Sequence, residues 1–443
     1  MVIKQKHLIE FQIYYLLIVE MLIDILHFPE IIRYVLDVNL IFMFFMFLPK
    51  IRNIINDKDS NKTHYYIMGY IFATIAFSII RRTPFGQVAW AARNNYFYFL
   101  FFFICAYTLS LKDFNRIIKN VVKLQAFNII CILYEYIILR KVGDYAGGMF
   151  GTTAGCNGYL NVYLCIITAF VLIQYSNKKA SLSYVAYIVV SCMAVAVVSE
   201  LKFYFIEFII IVLVSVLLSR ANAKNALVVI VGIVALFIGI QILTAVNPWS
   251  ADLMSDFDSI NEYTKTNYGG TVIARATPFS QINDYFFRDN VFYNLFGFGF
   301  GACEDSVSFS WANSDFATLY RDLGYRNLST SMVFVELGYT GIAAFLTIFV
   351  LLFTNIQKLK QKATENKNFY VFSQTVCVIA IANIWYNSTI RREIAFLTFF
   401  CLSAFIICAR EKALKEFEEK QKELPPEKKS YFKKKNKRTR SNI

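Results

Sequence analysis

Long apolar stretches alternate with short polar ones along most of the chain. Twelve of them approach the ~20 apolar residues that a helix needs to cross a hydrocarbon core. They are residues 11–27, 31–48, 65–80, 95–110, 119–139, 159–175, 183–199, 201–218, 226–243, 330–353, 369–386 and 393–409. The pattern predicts an all-α polytopic membrane protein with about 12 transmembrane helices, nine within 1–243 and three within 330–409. Between the groups lies one long polar segment, 244–329, with Pro248, Pro278, several Asp and the run Phe296-Gly297-Phe298-Gly299-Phe300-Gly301. It is too short for a large domain and long enough for a cap of short helices over a membrane cavity. Residues 410–443 read as a charged helix from Arg410 to Glu423, stopped at Pro425-Pro426, followed by a Lys-rich run. The first stretch carries Glu20 and Asp24 and lacks a small-residue cleavage site, so it reads as a span and not as a signal peptide.

Composition agrees with this pattern. Of 443 residues, 57% are hydrophobic and only 17% charged, and mean hydropathy is +0.47. Soluble domains carry roughly 25% charged residues, and disordered chains lack apolar surface to bury. Both classes are excluded.

Lys and Arg in the loops set the orientation. Twelve spans put both termini on one side, with loops 49–64, 111–118, 176–182, 219–225 and 354–368. That side carries 31 of the 45 basic residues and is therefore the cytoplasmic one; 13 lie on the other, and Arg33 lies within a span. Residues 244–329 are then extracytoplasmic. The residue types differ as well: 25 Lys and 6 Arg inside, against 3 Lys and 10 Arg outside. Lys serves as a topology signal, whereas Arg presents a planar fork of donors to phosphate or carboxylate. Pairing with outer-loop acids explains individual Arg. Ten placed against the orientation rule point, as a set, to an anionic ligand.

The net charge of +14 does not indicate nucleic acid. The tail 410–443 supplies half of it, with 13 basic and 6 acidic residues, and the rest is dominated by topology-setting Lys. A polybasic cytoplasmic tail is drawn to anionic lipid headgroups; it serves equally as a topology anchor.

Ionisable groups inside spans are costly and face a cavity or a partner. Here they are Glu20, Asp24, Arg33, Asp37, Glu135, Glu207 and Glu336, all in the outer halves of their spans. Arg33 and Asp37, four apart, are expected to pair on one helix face. Glu20 and Asp24 share a face and need a cation between them. A polar cavity opening outward follows, lined further by the hairpin with Arg81, Arg82 and Arg93 and by the turn Ser199-Glu200-Leu201-Lys202. Lys202, at a helix start, is either a functional cation or the ion-pair partner of Glu200.

Metal and nucleotide chemistry find little support. The glycine run has the wrong spacing for a dinucleotide fingerprint; alternating Gly and Phe suggests tight turns with rings against lipid or sugar. Asp256-Phe-Asp258 is a weak metal-binding signal. The nine Cys include no CxxC, although Cys156 and Cys303 lie on one side and could pair. None of the three His lies in the long segment. No cofactor or metal is expected, and carboxylates remain as acid–base candidates.

In this setting four segments together resemble the O-antigen polymerase and ligase superfamily, which includes the Wzy-type repeat-unit polymerases. They are Gly147-Gly-Met-Phe-Gly151 with Asn157-Gly158, Ser199-Glu-Leu-Lys202, Arg275 about twenty residues before Asn294-Leu-Phe-Gly-Phe-Gly-Phe-Gly301, and Glu336-Leu-Gly338-Tyr-Thr-Gly341. The resemblance covers roughly residues 150 to 345. Ligases carry a His about nine residues before that Glu; this chain has Asn327, which favours a polymerase.

The resemblance implies a multi-pass glycosyltransferase of the bacterial cytoplasmic membrane. It would polymerise undecaprenyl-diphosphate-linked oligosaccharides at the outer face, in contact with membrane lipids and with a chain-length regulator as partner. An O-antigen-type ligase or a lipid-linked oligosaccharide flippase is the alternative. Lys202 and Arg275 would hold the diphosphate, with Arg288, Arg82, Arg81, Arg93, Arg321 and Arg326 as further anion-binding candidates. The candidates for the base that accepts the acceptor hydroxyl's proton are Glu304, Asp305, Asp289 and Glu200. Glu336 is expected to fix the start of its span through hydrogen bonds.

Overall fold

A computed structural model describes residues 4–57, 59–219, 223–246 and 273–422, and these contain helices and no strand. The first half comprises α1 (Gln5–Asp24), α2 (Val35–Phe47), α3 (Ile51–Asn56), α4 (Asn61–Ile80), α5 (Phe85–Thr108), α6 (Leu111–Lys123) and α7 (Gln125–Tyr134). Then come α8 (Cys156–Ser176), α9 (Leu182–Val198), α10 (Lys202–Leu218) and α11 (Ala223–Val246). Three short helices follow, α12 (Pro278–Ile282), α13 (Val291–Phe296) and α14 (Asp315–Tyr320). The chain then runs through α15 (Ser329–Lys362), α16 (Lys367–Tyr386), α17 (Ala395–Leu402) and α18 (Ala404–Lys422). All twelve apolar stretches are helical for most of their length. Six helical segments among the described residues are long and apolar enough to cross a membrane: 30–56, 61–80, 111–137, 156–176, 329–362 and 367–386. The chain is a helical membrane protein.

Helix α8 is the centre of the bundle. Nearly every residue from Leu160 to Ser176 is buried, because α9, α10 and α16 pack around it. Helices α2 and α4 are peripheral and leave Phe45, Phe72, Ile79 and Ile80 exposed, as spans facing lipid do. Helix α6 is of another kind. Ser110 caps it by accepting the Asp113 N–H at 3.2 Å, and apolar residues at 111, 114, 117, 118, 121 and 122 bury one face. Residues 111–118, expected as a loop, are thus the first turns of an amphipathic helix. Their charges lowered the mean hydropathy while the 3.6-residue period remained.

The glycine run is structural. Gly297, Gly299 and Gly301 all adopt positive φ, which lets this loop press against the kink in α15 at Gly338 (φ 62°). A β-carbon on Gly297 would stand 2.3 Å from the Glu336 carbonyl carbon, and one on Gly338 would stand 2.4 Å from that of Leu295. Backbone bonds from Phe298 and Gly299 to the carbonyls of Val335 and Glu336 close the contact at 2.9 and 2.8 Å. The tight turns are as expected, but the rings of Phe298 and Phe300 pack on protein. Phe300 stacks on Tyr96 at 5.0 Å, and Phe298 lies against Phe287, Tyr293 and Phe316.

Candidate functional site: an ionic cavity at one end of the bundle

The C-terminal ends of α1 and α16 and the N-terminal ends of α5, α8, α10 and α15 converge on a cavity of about 830 Å³. These are the ends that the distribution of Lys and Arg assigns to one side. Residues 273–328 cover part of it. Seven of the twelve residues singled out from sequence line it: Arg93, Glu200, Lys202, Arg275, Glu304, Asp305 and Arg326. Arg81, Arg82, Arg288, Asp289 and Arg321 do not.

Those five have local reasons to sit elsewhere. Arg81 donates from Nε to the Phe298 carbonyl at 3.2 Å and lies 5.3 and 5.5 Å from the ring centres of Phe292 and Tyr293, bracing the glycine loop. Arg82 takes a left-handed conformation (φ 58°) in the tight α4–α5 turn and is exposed. Arg288 and Asp289 are a left-handed pair (φ 49° and 59°) that ends the helical turn at 283–287, also exposed. Asp289 accepts from Asn283 Nδ2 at 2.6 Å. Arg321 opens a short 3-10 turn on the exposed surface. Asp256 and Asp258 lie outside the described residues, as does the tail beyond 422.

Most cavity cations are matched to carboxylates. Arg33 grips Glu20 in a two-pronged bond, Nε and Nη2 each 2.7 Å from one oxygen. This supplies the cation that Glu20 needed, while Asp24 accepts the N–H groups of Thr152 and Thr153 at 2.7 and 3.0 Å. The expected Arg33–Asp37 pair is absent, and Asp37 accepts instead from Arg93 at 3.0 Å. Arg33 belongs to the 3-10 turn 30–34 and Asp37 to α2, so the two do not sit on one continuous α-helical face, and each pairs with a residue of another helix. Arg93 also bonds Glu393 at 2.7 Å, and Tyr159 donates to the other Glu393 oxygen at 2.6 Å. Glu393 lies in the loop before α17, outside the helices. Burial pushes its carboxyl up, but Arg93, the Tyr159 hydroxyl, Arg392 and Arg33 outweigh this and hold it at about 2.

Asp305 and Glu304 are also paired. Arg326 donates to Asp305. Arg391 donates to Glu304 Oε1 and to Asn95 Oδ1, the latter at 3.0 Å, while Asn94 donates to Glu304 Oε2 at 3.0 Å. Each carboxylate oxygen can accept two hydrogen bonds, so both groups keep capacity for a substrate hydroxyl. Glu336, beneath them, accepts the N–H groups of Gly301 and Cys303 at 3.0 and 3.4 Å, and Tyr325 donates to the Cys303 carbonyl at 2.9 Å. The segment that presents Glu304 and Asp305 is therefore pinned from below.

One part of the lining gathers three cations, Arg275, Arg392 and Lys202. Arg275 Cζ lies over the Tyr386 ring, 4.8 Å from its centre, and Tyr386 stacks on Phe203 at 3.8 Å and 9°. The Arg275 Nε donates to the Tyr386 carbonyl at 3.3 Å, and Arg275 is part of the cavity lining. Neither Arg275 nor Arg392 has a carboxylate oxygen within 4 Å among the described residues. Lys202, next to Phe203, is close enough to Arg275 to feel its charge, as well as those of Glu200 and Asp144. Such a cluster is suited to a multiply charged anion.

Arg391, Arg392 and Glu393 did not stand out in the sequence. The signal was an Arg doublet in a short loop, merged into the beginning of an apolar run. All nine Cys, including Cys156 and Cys303, are buried free thiols. Among the described residues no group of three or more His, Cys, Asp and Glu could hold a metal ion. No family model matches the chain, and no curated protein matches it.

Proposed function

We propose that the chain is a membrane glycosyltransferase that polymerises undecaprenyl-diphosphate-linked oligosaccharides at the outer face of the bacterial cytoplasmic membrane. The observation that carries this reading is the gathering of Arg275, Arg392 and Lys202, the two arginines without a carboxylate within 4 Å among the described residues, in the same cavity as Glu304 and Asp305. Glycosyl transfer from a lipid diphosphate needs cations for the departing diphosphate and a carboxylate for the proton of the attacking hydroxyl. Arg275 is suited to the first role because its guanidinium, held over Tyr386, lines the cavity and has no carboxylate within 4 Å among the described residues. Glu304 and Asp305 are the carboxylates for the second; Glu200 is the reserve. The reading takes the twelve apolar helical stretches as twelve crossings, both termini as cytoplasmic, and 244–329 as extracytoplasmic.

The test is deletion of the gene in its host, followed by a gel of surface glycans. Loss of long chains, with single repeat units still attached, supports the polymerase. Loss of every attached unit would identify a ligase, and an unchanged glycan ladder would refute both.

A further inference from the structure

Beside the cavity mouth is a group of aromatic rings that no step of the transfer uses. Tyr34 and Trp90 line the cavity, and Phe309 lies 5.0 Å from the first and 5.5 Å from the second. Trp311 continues the group, 5.5 Å from Phe309 and 6.0 Å from Trp90, and is 55% exposed. The group is anchored at fixed points. Trp90 Nε1 donates to the Asp305 carbonyl at 3.1 Å, and Gln87 donates to the Asn313 carbonyl at 3.2 Å. Asn313 in turn accepts the Ser306 N–H at 2.7 Å. Gly86 lets the chain at Trp311 approach, since a β-carbon there would stand 2.7 Å from the Trp311 carbonyl oxygen.

The chemistry of this rim differs from that of the lipid-facing surface. The exposed apolar residues late in α4, such as Phe72, Ile79 and Ile80, lie along an apolar helix. The loop 305–313 instead interleaves its rings with Asp305, Ser306, Ser308, Ser310 and Asn313. Ring faces carry partial negative charge and attract the partially positive C–H groups on one face of a pyranose. Neighbouring hydroxyl and amide groups serve the sugar's own hydroxyls. Rigid aromatic side chains also give contact area at small entropic cost.

We propose that Tyr34, Trp90, Phe309 and Trp311 form a glycan-binding subsite that holds sugar residues of the growing chain beside the cavity. The assignment rests on the glycosyltransferase reading and adds to it a place for the uncharged part of the substrate.

The experiment uses the full chain in detergent and the host's surface polysaccharide, freed of its lipid by mild acid, as the probe. Saturable quenching of tryptophan fluorescence is expected, weakened about tenfold when Trp311 and Phe309 are both Ala, and retained in Trp311→Tyr. Trp311 is largely exposed, so Trp311→Ala alone provides a folded variant for the same titration. In cells the double variant should give shorter chains at normal protein abundance. Binding unaffected by the double replacement would overturn the subsite. Quenching of Trp311 by brominated lipid in vesicles would also overturn it, because the rim would then be a membrane-interface belt. Failure of the polymerase reading is separately visible: glycan would bind at the rim although gene deletion left the glycan ladder unchanged.

Discussion

Arg391 and Glu304, 87 residues apart in sequence, form a buried ion pair at the cavity, with side chains 8% and 4% exposed. It joins the loop before α17 to the segment that presents Glu304 and Asp305. Removing one member of a buried pair strands the other without solvent, at a cost of about 3–5 kcal/mol. Arg391→Ala is therefore expected to lower the thermal midpoint in detergent strongly. Arg391→Met combined with Glu304→Gln should recover much of the loss, because no charge is then stranded. A double-mutant cycle on thermal unfolding measures the difference.

Arg275 has a different character, having no carboxylate partner among the described residues. Arg275→Ala should leave protein abundance near normal while removing long chains, with a rate loss on the order of 10²–10³ expected for one charge-stabilising donor. Arg275→Lys should rescue poorly, because an ammonium cannot reproduce both the stacking on Tyr386 and the two-pronged fork. Glycan gels alongside immunoblots for abundance separate the two effects. Long chains at normal abundance in Arg275→Ala would remove it from the site.

Glu336 separates positioning from chemistry. Its Oε1 accepts two backbone N–H groups, those of Gly301 and Cys303, and the residue is 2% exposed. Glutamine keeps a carbonyl oxygen there, so Glu336→Gln should still form long chains. Glu336→Ala leaves buried donors unsatisfied, at about 1–3 kcal/mol each, and should reduce abundance. If Glu336→Gln abolished chains at normal abundance, the carboxyl would have a proton-transfer role.

The sequence made some of this legible and hid the rest for physical reasons. The apolar helices were readable because membrane helices need long apolar runs, and the ion-rich end because Arg is concentrated in the segments that meet there. The pairings were not. Arg93 meets Glu393 across 300 residues, and the Arg33–Asp37 spacing misled because a 3-10 turn gives way to α2 between them and each finds its partner on another helix. Asp289 and Arg288 looked like site residues by type, but a left-handed turn directs that pair to the surface. Helix α6 was half-hidden because charge on one face masks a buried stripe on the other.

Three glycines in different settings give a graded test of backbone strain. Gly155→Ala meets nothing within 4 Å and carries only the cost of φ +87°, about 1–2 kcal/mol. Gly297→Ala adds a clash at 2.3 Å with the Glu336 backbone, which cannot move without disturbing the α15 kink. Abundance and thermal midpoint should fall modestly for the first and severely for the second. Gly69→Ala, in the interior of α4 with open space around it, should be neutral or stabilising by about 0.5–1 kcal/mol.

Glu393 predicts the acid limit of the cavity. Its carboxyl is held at about 2 in the folded protein, below the ordinary 4.5. A depressed carboxyl pKa means that the unfolded chain binds the proton more readily. The stabilisation from this group is therefore complete above about pH 4.5 and is lost as pH falls toward about 2. Glu393→Gln should lower the thermal midpoint at neutral pH, since Arg93 loses one of its two carboxylate partners. The same variant should show a flatter decline than the native protein between those two pH values. Thermal midpoints in detergent from pH 7 down to the acid limit provide the check, and parallel curves for native and variant protein would show that Glu393 is not held ionised by this network.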